Sequence, residues 1–514
     1  MFDKIKKQNM RKLIILLSLT LAWGLFAHGI MFGNKYSFHD DAGNVGLGST
    51  YTSGRWLLEV MLRVQKNLLG SENFSLPWYN GIISLVFIGI AAYLIIDILE
   101  INSKLSWVAL TGVMATFPAI TGLFGYMFTA PAYMFGMCLA VTGAYLICKK
   151  RSYVNWGIGV LLIACSIGVY QAYMPLAVCI FVLYFFHRVL IDEENTWKGY
   201  LQSCVYYIGS CISFLILYVM LNKFYLVYFN AQLNDYQGIS SFGATDIKGY
   251  FLRLLRAYKE FLLPTSGLSR NMYPFTIERF YQVMLLGIAC ILVTVGIKVL
   301  KNNVRKFFEA FLLMAIFPMA TNLIYIMCDA NAQPGIHSLM MYAQVAPFIL
   351  FVYLTEKYVI NSTELKIKCK RILTFISLFL VIFISVMYVR LANICYLKAD
   401  YLQTQAISYF TRLIERIETT DGYDPYYTVL FVNNREKFEM PVPAEFDQIK
   451  IVPYERNSII NTHTWYSFMK TWCGYQPYFT YDESVVDSEI IEAMPSYPAE
   501  GSIKVVNDIV VVKF

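Results

Sequence analysis

The sequence predicts a polytopic α-helical membrane protein that carries a small α/β domain at its C-terminal end. Three observations predict it. Of 514 residues, 57% are hydrophobic and only 15% charged, with a mean hydropathy of +0.50, whereas soluble domains carry about 25% charged residues. Apolar stretches of roughly 20 residues, the length that crosses about 30 Å of hydrocarbon, recur over the first three quarters of the chain. Lysines and arginines gather in alternate loops between them, the asymmetry expected of cytoplasmic loops.

The apolar stretches fall near 12–32, 78–99, 105–123, 126–148, 154–170, 172–190, 201–228, 278–298, 307–328, 338–358 and 372–392. About eleven spans are therefore expected. With Lys4, Lys6, Lys7, Arg11 and Lys12 in the cytoplasm, the basic residues at 149–151, Arg188, 301–306 and 366–371 fall there too. Splitting 154–190 into two spans preserves that alternation; one span would invert every later loop. The odd count sends the C-terminal segment outside. The first stretch is too long for a signal-peptide core, lacks a small-residue cleavage site, and reads as a retained span. The net charge of +7 is thus explained by loop placement, and no nucleic-acid partner is expected. Eleven cysteines sit mostly within spans without metal-ligand spacing and read as small apolar residues. Only Cys395 and Cys473 fall in the outer C-terminal region, where they could form a disulfide.

Three outer segments are long: 33–76, 229–277 and 394–514. In the first, GRWLLEVMLRVQKNLLG places Leu57, Val60, Met61, Val64 and Leu68 at helical spacing, with Glu59, Arg63 and Lys66 opposite. At about four turns it is too short to span and reads as a helix lying in the interface near 54–70, with Ser53 as its cap. In the second, Phe251, Leu254, Leu255, Tyr258, Phe261 and Leu262 form an apolar stripe beside Arg253, Arg256 and Lys259, a second interfacial helix near 247–263 ended by Pro264 and Gly267. The third is different: LQTQAISYFTRLIERIE reads as an amphipathic helix, YYTVLFV as a buried strand, and SIKVV–ND–IVVVKF as two strands around a tight turn. The expected organisation is a transmembrane domain over 1–393 and an outer α/β domain over 394–514.

Polar investment on one face of the membrane locates the chemistry. YSFHDDAGNVGLGSTYTSGRW (36–56) follows the first span directly. A tether needs no acidic doublet, so Asp40 and Asp41 either solvate the loop or act. Their place between two anchored helices, and the following Gly43, Gly46 and Gly48, favour action. Neighbours on an extended chain point oppositely, so one carboxylate can face a cavity while the other holds the loop or a metal. A carboxylate within reach of an acceptor hydroxyl serves as general base, typically an effect of about 10²–10⁴-fold. Arg55 nearby matches a phosphate bidentately. Arg253, Arg256, Lys259 and Arg270 either meet anionic headgroups or neutralise a phosphate leaving group; Arg270, in a turn off the helical stripe, is the choice for the latter. Tyr170 and Gln171 in SIGVYQAYMP (166–175) either satisfy freed backbone groups or line a sugar pocket. Asp40, Asp41, Asp329 and His337 could be imagined as a metal site without a spacing motif, so no cofactor is predicted while a divalent metal stays open. His28 reads as a hydrogen-bonded packing residue, and Asp97 and Glu100 reach water at the cytoplasmic end of their span.

Three segments in order, HDD…GRW, FPAITGLFGYMFTAPAY (117–133) and ACSIGVYQAYMPLAV (164–178), resemble the glucosyl transferase II family of serotype-converting enzymes, which belong to the GT-C class. The resemblance covers roughly 10–390 and leaves the C-terminal tail unmatched. It implies a GT-C-like fold and a hexosyltransferase of the bacterial cytoplasmic membrane, acting in O-antigen-type cell-envelope polysaccharide modification. Such an enzyme takes a sugar, by family glucose, from a polyprenyl-phosphate donor on the outer face and adds it to a cell-surface glycan. A polyprenyl-phosphate sugar synthase and a flippase would act upstream. It also implies a first-loop acidic residue at the reaction centre, Asp40 or Asp41, with Asp40 favoured. Tyr170 and Gln171 carry over as family pattern without a role. Two other readings stay open. A flippase of lipid-linked sugars would show repeats and midplane charges, which this sequence lacks. A glycan-binding display protein would leave the carboxylates without a task.

Overall fold

The computed structural model describes residues 2–36, 41, 50–70, 75–150, 152–191, 196–233, 246–264, 277–328, 336–362, 365–433, 439–460 and 464–514. Its helices are α1 (Phe2–Gly33), α2 (Trp56–Leu69), α3 (Pro77–Ile98), α4 (Lys104–Thr116), α5 (Pro118–Phe124), α6 (Ala130–Lys149), α7 (Tyr153–Val169) and α8 (Met174–Ile191). They continue with α9 (Trp197–Tyr228), α10 (Ile247–Leu262), α11 (Ile277–Asn302), α12 (Val304–Thr321), α13 (Ile324–Met327), α14 (Ala346–Leu354) and α15 (Ile367–Glu418).

Among the described residues, eight helices are long and apolar enough to cross a membrane, or nine when α4 and α5, bent by 42°, count as one span. The bend has a local cause. Pro118 forces Phe117 out of the helical region, to φ −55° and ψ 138°. Two of the eleven expected stretches become lesser elements. The stretch 154–170 is α7, only 17 residues long. The stretch 307–328 holds Pro318 within α12, gives way at Asn322 and resumes as the single turn α13. The span Ser338–Ile360 is wholly buried in its most apolar window and forms the centre, whereas in α9 and α11 only 17% of that window is buried. Those two helices leave most of their apolar side chains exposed or partly exposed. At one end of α3 and α6, Lys149 pairs with Asp97 at 2.6 Å and Tyr145 donates to the same carboxylate. At the start of α4, the buried Glu356 accepts from the N–H groups of Asn102 and Ser103 at 3.1 and 3.0 Å and from Ser106 Oγ at 2.8 Å. A carboxylate is favoured there by the positive end of the helix.

The last span does not stop at the membrane surface. α15 runs 52 residues without a break, about 78 Å at 1.5 Å per residue, more than twice the hydrocarbon thickness. Its upper part is the core helix of the C-terminal unit: Phe410 packs edge-on to Trp465 at 5.1 Å and tilted on Phe468 at 5.6 Å. The amphipathic helix expected there is thus the continuation of a span. Beside it lies a four-stranded sheet of β1 (Thr428–Val432), β2 (Tyr478–Thr480), β3 (Ile503–Val506) and β4 (Ile509–Lys513), in the order β2-β1-β4-β3. β1 is parallel to β2 and β4, and β3–β4 is the expected hairpin. Its turn residues Asn507 and Asp508 have φ of 50° and 62°, the left-handed pair a two-residue hairpin turn demands. Cys395 and Cys473 are free thiols; the disulfide left open by the sequence is not formed.

Candidate active site

The site gathers between the first segment, α6, α7 and α9, and Gly54-Arg55-Trp56 is its pivot. Residues Thr50–Ser53 form a single 3-10 turn ahead of α2. Ser53 does not cap α2: its hydroxyl donates to the Thr50 carbonyl at 2.8 Å, and Arg55 occupies the cap position. The buried Glu59, one turn into α2, accepts from Thr50 Oγ1 at 2.9 Å and from Arg63 Nε at 2.9 Å. That tie folds the turn back onto the helix.

Gly54 sits at φ +76°, where a side chain is strained. A Cβ there would lie 2.5 Å from the Tyr218 hydroxyl and 2.7 Å from Gln171 Nε2. Those two groups approach so closely because they grip the turn. Gln171 Nε2 donates to the Ser53 carbonyl at 2.8 Å and to Tyr218 Oη at 3.3 Å, and Tyr218 donates to the Gly54 carbonyl at 3.1 Å. Gln171 is therefore joined to the first segment across 118 positions of sequence.

With its backbone held, Arg55 is half-buried and directed into an aromatic pair. Its Nη1 donates to Tyr133 Oη at 3.1 Å, and its guanidinium carbon lies 5.1 Å from the Tyr170 ring centre. Tyr133 and Tyr170 stack at 4.6 Å with planes 8° apart, and Tyr173 meets Tyr170 edge-on at 5.4 Å. Stacking and a cation over the ring face add to one another. Trp56 turns the other way, stacking on Tyr225 at 5.0 Å. It also lies over Gly168, where a Cβ would come within 2.5 Å of the indole. So each residue of Gly-Arg-Trp contacts Gly168, Tyr170 or Gln171.

Asp41 is almost fully buried. Its Oδ2 accepts from Lys35 Nζ at 3.1 Å, and its Oδ1 accepts from Ser75 Oγ. Lys35 in turn is anchored to α15, its carbonyl accepting from Gln403 at 3.0 Å. Next to it, burial and the neighbouring Asp400 push the Tyr36 hydroxyl up to about 12. Asp41 thus ties Lys35 to Ser75. Asp40, Arg270 and Asp329 lie outside the described residues. His337 is described: burial lowers its pKa, and Arg456 and Arg55 both push in the same direction. Among the described residues no three His, Cys, Asp or Glu side chains are arranged to hold a metal ion. His28 is the packing residue expected, with Nδ1 2.7 Å from Tyr396 Oη and Nε2 3.0 Å from the Ala115 carbonyl. On α10, Arg253 donates to the Ile326 carbonyl at 3.3 Å and Arg256 lies over Tyr325 at 5.4 Å, so both pack on α13.

Sequence reasoning did not single out Tyr133, Tyr218 or Arg456, and read Glu59 only as part of a polar helix face. Tyr133 closes the second motif, which was a usable signal. A tyrosine in the middle of α9 carries none.

The fold and the site define a membrane-embedded helical protein that carries a small α/β unit and a polar and aromatic cluster around Arg55. The chain belongs to the glucosyl transferase GtrII family, whose model matches residues 29–348, a range that holds the whole Arg55 cluster. Among solved structures it is similar to the archaeal oligosaccharyltransferase AglB from Archaeoglobus fulgidus, determined with an inhibitory peptide and a dolichol-phosphate. The identity is 10% and the TM-score 0.36, over 89% of this chain and 65% of that one. The chain thus spans about two thirds of the length of that structure. No curated protein matches it significantly.

Proposed function

We propose that the chain is a membrane glycosyltransferase moving a hexose, glucose by its family, from a polyprenyl-phosphate donor to a cell-surface glycan. The reaction takes place on the outer face of the bacterial cytoplasmic membrane, with the N-terminus cytoplasmic and the C-terminal unit outside. The observation that carries this reading is the convergence of Gly54-Arg55-Trp56 with Tyr133, Gly168, Tyr170 and Gln171 at the ends of the spans, inside the range that matches a glucosyl transferase family. A prenyl tail stays in the bilayer while its phosphate-sugar head must meet a water-borne acceptor, so the reaction belongs at that level.

In the reaction an acceptor hydroxyl attacks the anomeric carbon and the bond from that carbon to the phosphate oxygen breaks. The bonding electrons leave with polyprenyl phosphate, and the hydroxyl proton passes to a base. Asp40 is that base. What supports it over its neighbour is that both oxygens of Asp41 already accept hydrogen bonds within the fold. Arg55, its backbone gripped by Gln171 and Tyr218, receives charge growing on the phosphate; such electrostatic stabilisation is usually the largest catalytic contribution. Arg270 is a second candidate for that charge. A polyprenyl-phosphate sugar synthase and a flippase would supply the donor, and no metal is required by this scheme.

The test is to incubate purified protein with polyprenyl-phosphate glucose and envelope glycan, with and without chelator. Acceptor-dependent release of polyprenyl phosphate is expected, abolished in Asp40→Asn with an unchanged melting temperature. Movement of intact donor across vesicles without release would mark a flippase. Full activity in Asp40→Asn would remove the assigned base.

A further inference from the structure

The sheet-bearing unit sends one loop, 449–456, onto α5 and the turn Ser338–Val345, and its contacts are closely fitted. The Val452 N–H donates to Ser338 Oγ at 3.1 Å. A Cβ on Gly122 would lie 2.7 Å from the Val452 carbonyl oxygen and 3.4 Å from Ile451 Cγ2, and one on Gly125 would lie 2.5 Å from Pro453. Loop and helix therefore touch backbone to backbone, and the two glycines of the second sequence motif are what lets them. The loop is also held from behind. Tyr454 is fully buried, meets Tyr396 of α15 edge-on at 5.7 Å, and its carbonyl accepts from Lys398 at 2.8 Å.

What the loop presses on leads by short steps to Arg55. The Gly125 N–H donates to the Gly122 carbonyl at 3.1 Å and the Tyr126 N–H to the Leu123 carbonyl at 2.9 Å. In turn the Thr129 N–H donates to the Tyr126 carbonyl at 3.0 Å and the Tyr133 N–H to the Thr129 carbonyl at 3.1 Å. From the side, Asn80 of α3 donates to the Met127 carbonyl at 3.0 Å. A run of hydrogen-bonded turns thus joins the glycines under the loop to Tyr133, whose hydroxyl accepts from Arg55 Nη1 at 3.1 Å. Residues 118–130 are buried except for Tyr126, and close-packed interiors pass a displacement on instead of absorbing it.

We propose that Val452 and Pro453 of the C-terminal unit are positioning residues of the transferase. Docked on Gly122 and Gly125, they fix the turn that carries Tyr133 and, through its hydroxyl, the Arg55 guanidinium. This rests on the transferase reading above and gives the C-terminal unit a part in the rate without any of its side chains touching substrate. A shift of about 1 Å at a reacting group costs on the order of 10²-fold, so a displacement too small to unfold the protein is enough.

The experiment is a double-substitution cycle on the full chain in detergent, reading kcat and KM for polyprenyl-phosphate glucose together with the melting temperature of every variant. Gly125→Ala should lower kcat about tenfold or more and raise KM by less, because Arg55 meets charge that grows in the transition state. Ser338→Ala, which removes only the acceptor of the Val452 N–H, should act in the same direction by about threefold, and it carries the test if Gly125→Ala does not fold. In a Tyr133→Phe background, where Arg55 has lost that hydroxyl, each substitution should cost less than about twofold further, the mark of coupled residues. Gly157→Ala, exposed on α7 with nothing within 4 Å of its Cβ, should change neither constant. Equal losses in both backgrounds, losses that track melting temperature alone, or a Tyr133→Phe variant with wild-type kcat would each overturn the positioning role and leave the transferase reading standing. No acceptor-dependent release by the wild type overturns both.

Discussion

Gly54→Ala tests the central geometry most directly, because Gly70 provides a matched control. Both glycines are left-handed, at φ +76° and +67°, but a Cβ on Gly70 meets nothing within 4 Å. At Gly70, then, alanine costs only the left-handed penalty of about 1–2 kcal/mol, offset by about 0.4–1 kcal/mol from a stiffer unfolded chain. At Gly54 the same methyl must also displace the Tyr218 hydroxyl and the Gln171 amide. These make three hydrogen bonds, at 2.8, 3.1 and 3.3 Å, each worth about 0.5–1.5 kcal/mol. The three together add a local destabilisation of about 1.5–4.5 kcal/mol to the cost shared with Gly70. The larger consequence is positional. Arg55 is the next residue, and a shift of about 1 Å at a reacting group costs on the order of 10²-fold in rate. Polyprenyl phosphate release and thermal unfolding, measured on both variants, give the comparison. Gly70→Ala should keep near-normal transfer. Gly54→Ala should lose about 10²-fold and melt lower. If Gly54→Ala matched Gly70→Ala in both readouts, the gripped turn would not position Arg55 and the reasoning would fail.

Other outcomes follow from single contacts. Asp41→Asn should lower the melting temperature as well as transfer, because it removes a buried charge paired with Lys35; a purely catalytic defect would contradict the holding role. Gly168→Ala should press on the Trp56 indole, an overpacking cost of about 1–3 kcal/mol, and unchanged stability and transfer would refute the contact. Glu356→Ala should destabilise by about 1–3 kcal/mol or more, the cost of leaving a buried donor unsatisfied, and Glu356→Gln by less; chemical denaturation decides. Burial holds the Glu455 carboxyl above its usual range, against Arg456, Lys398 and Lys450. The folded form therefore binds the proton more tightly than the unfolded one. Its contribution is full below the ordinary value of about 4.3 and is lost as pH rises through the raised one. Glu455→Gln should thus gain melting temperature over wild type near neutral pH, and the gain should shrink towards about pH 4. A gain independent of pH would contradict the shift.

Much of this molecule is written locally, and what is local could be read directly. Hydropathy over twenty residues is a property of composition, so the spans, the amphipathic helices at 56–69 and 247–262 and the Asn507–Asp508 hairpin were legible without coordinates. So were Arg55 and the Tyr170–Gln171 pair, which the fold brings together, since their polar chemistry stands out beside apolar helices. Partnership is not local. Nothing in the chain says that Gln171 holds Ser53 rather than a sugar, that Tyr133 takes the Arg55 guanidinium from 78 positions away, or that Asp41 is buried against Lys35 and Ser75. Nor does hydropathy reveal that α15 leaves the membrane as one helix, because apolar and amphipathic stretches share a backbone and differ only in their surroundings. Those facts depend on which faces meet when the helices pack, a choice made by shape and hydrogen bonding across the whole fold.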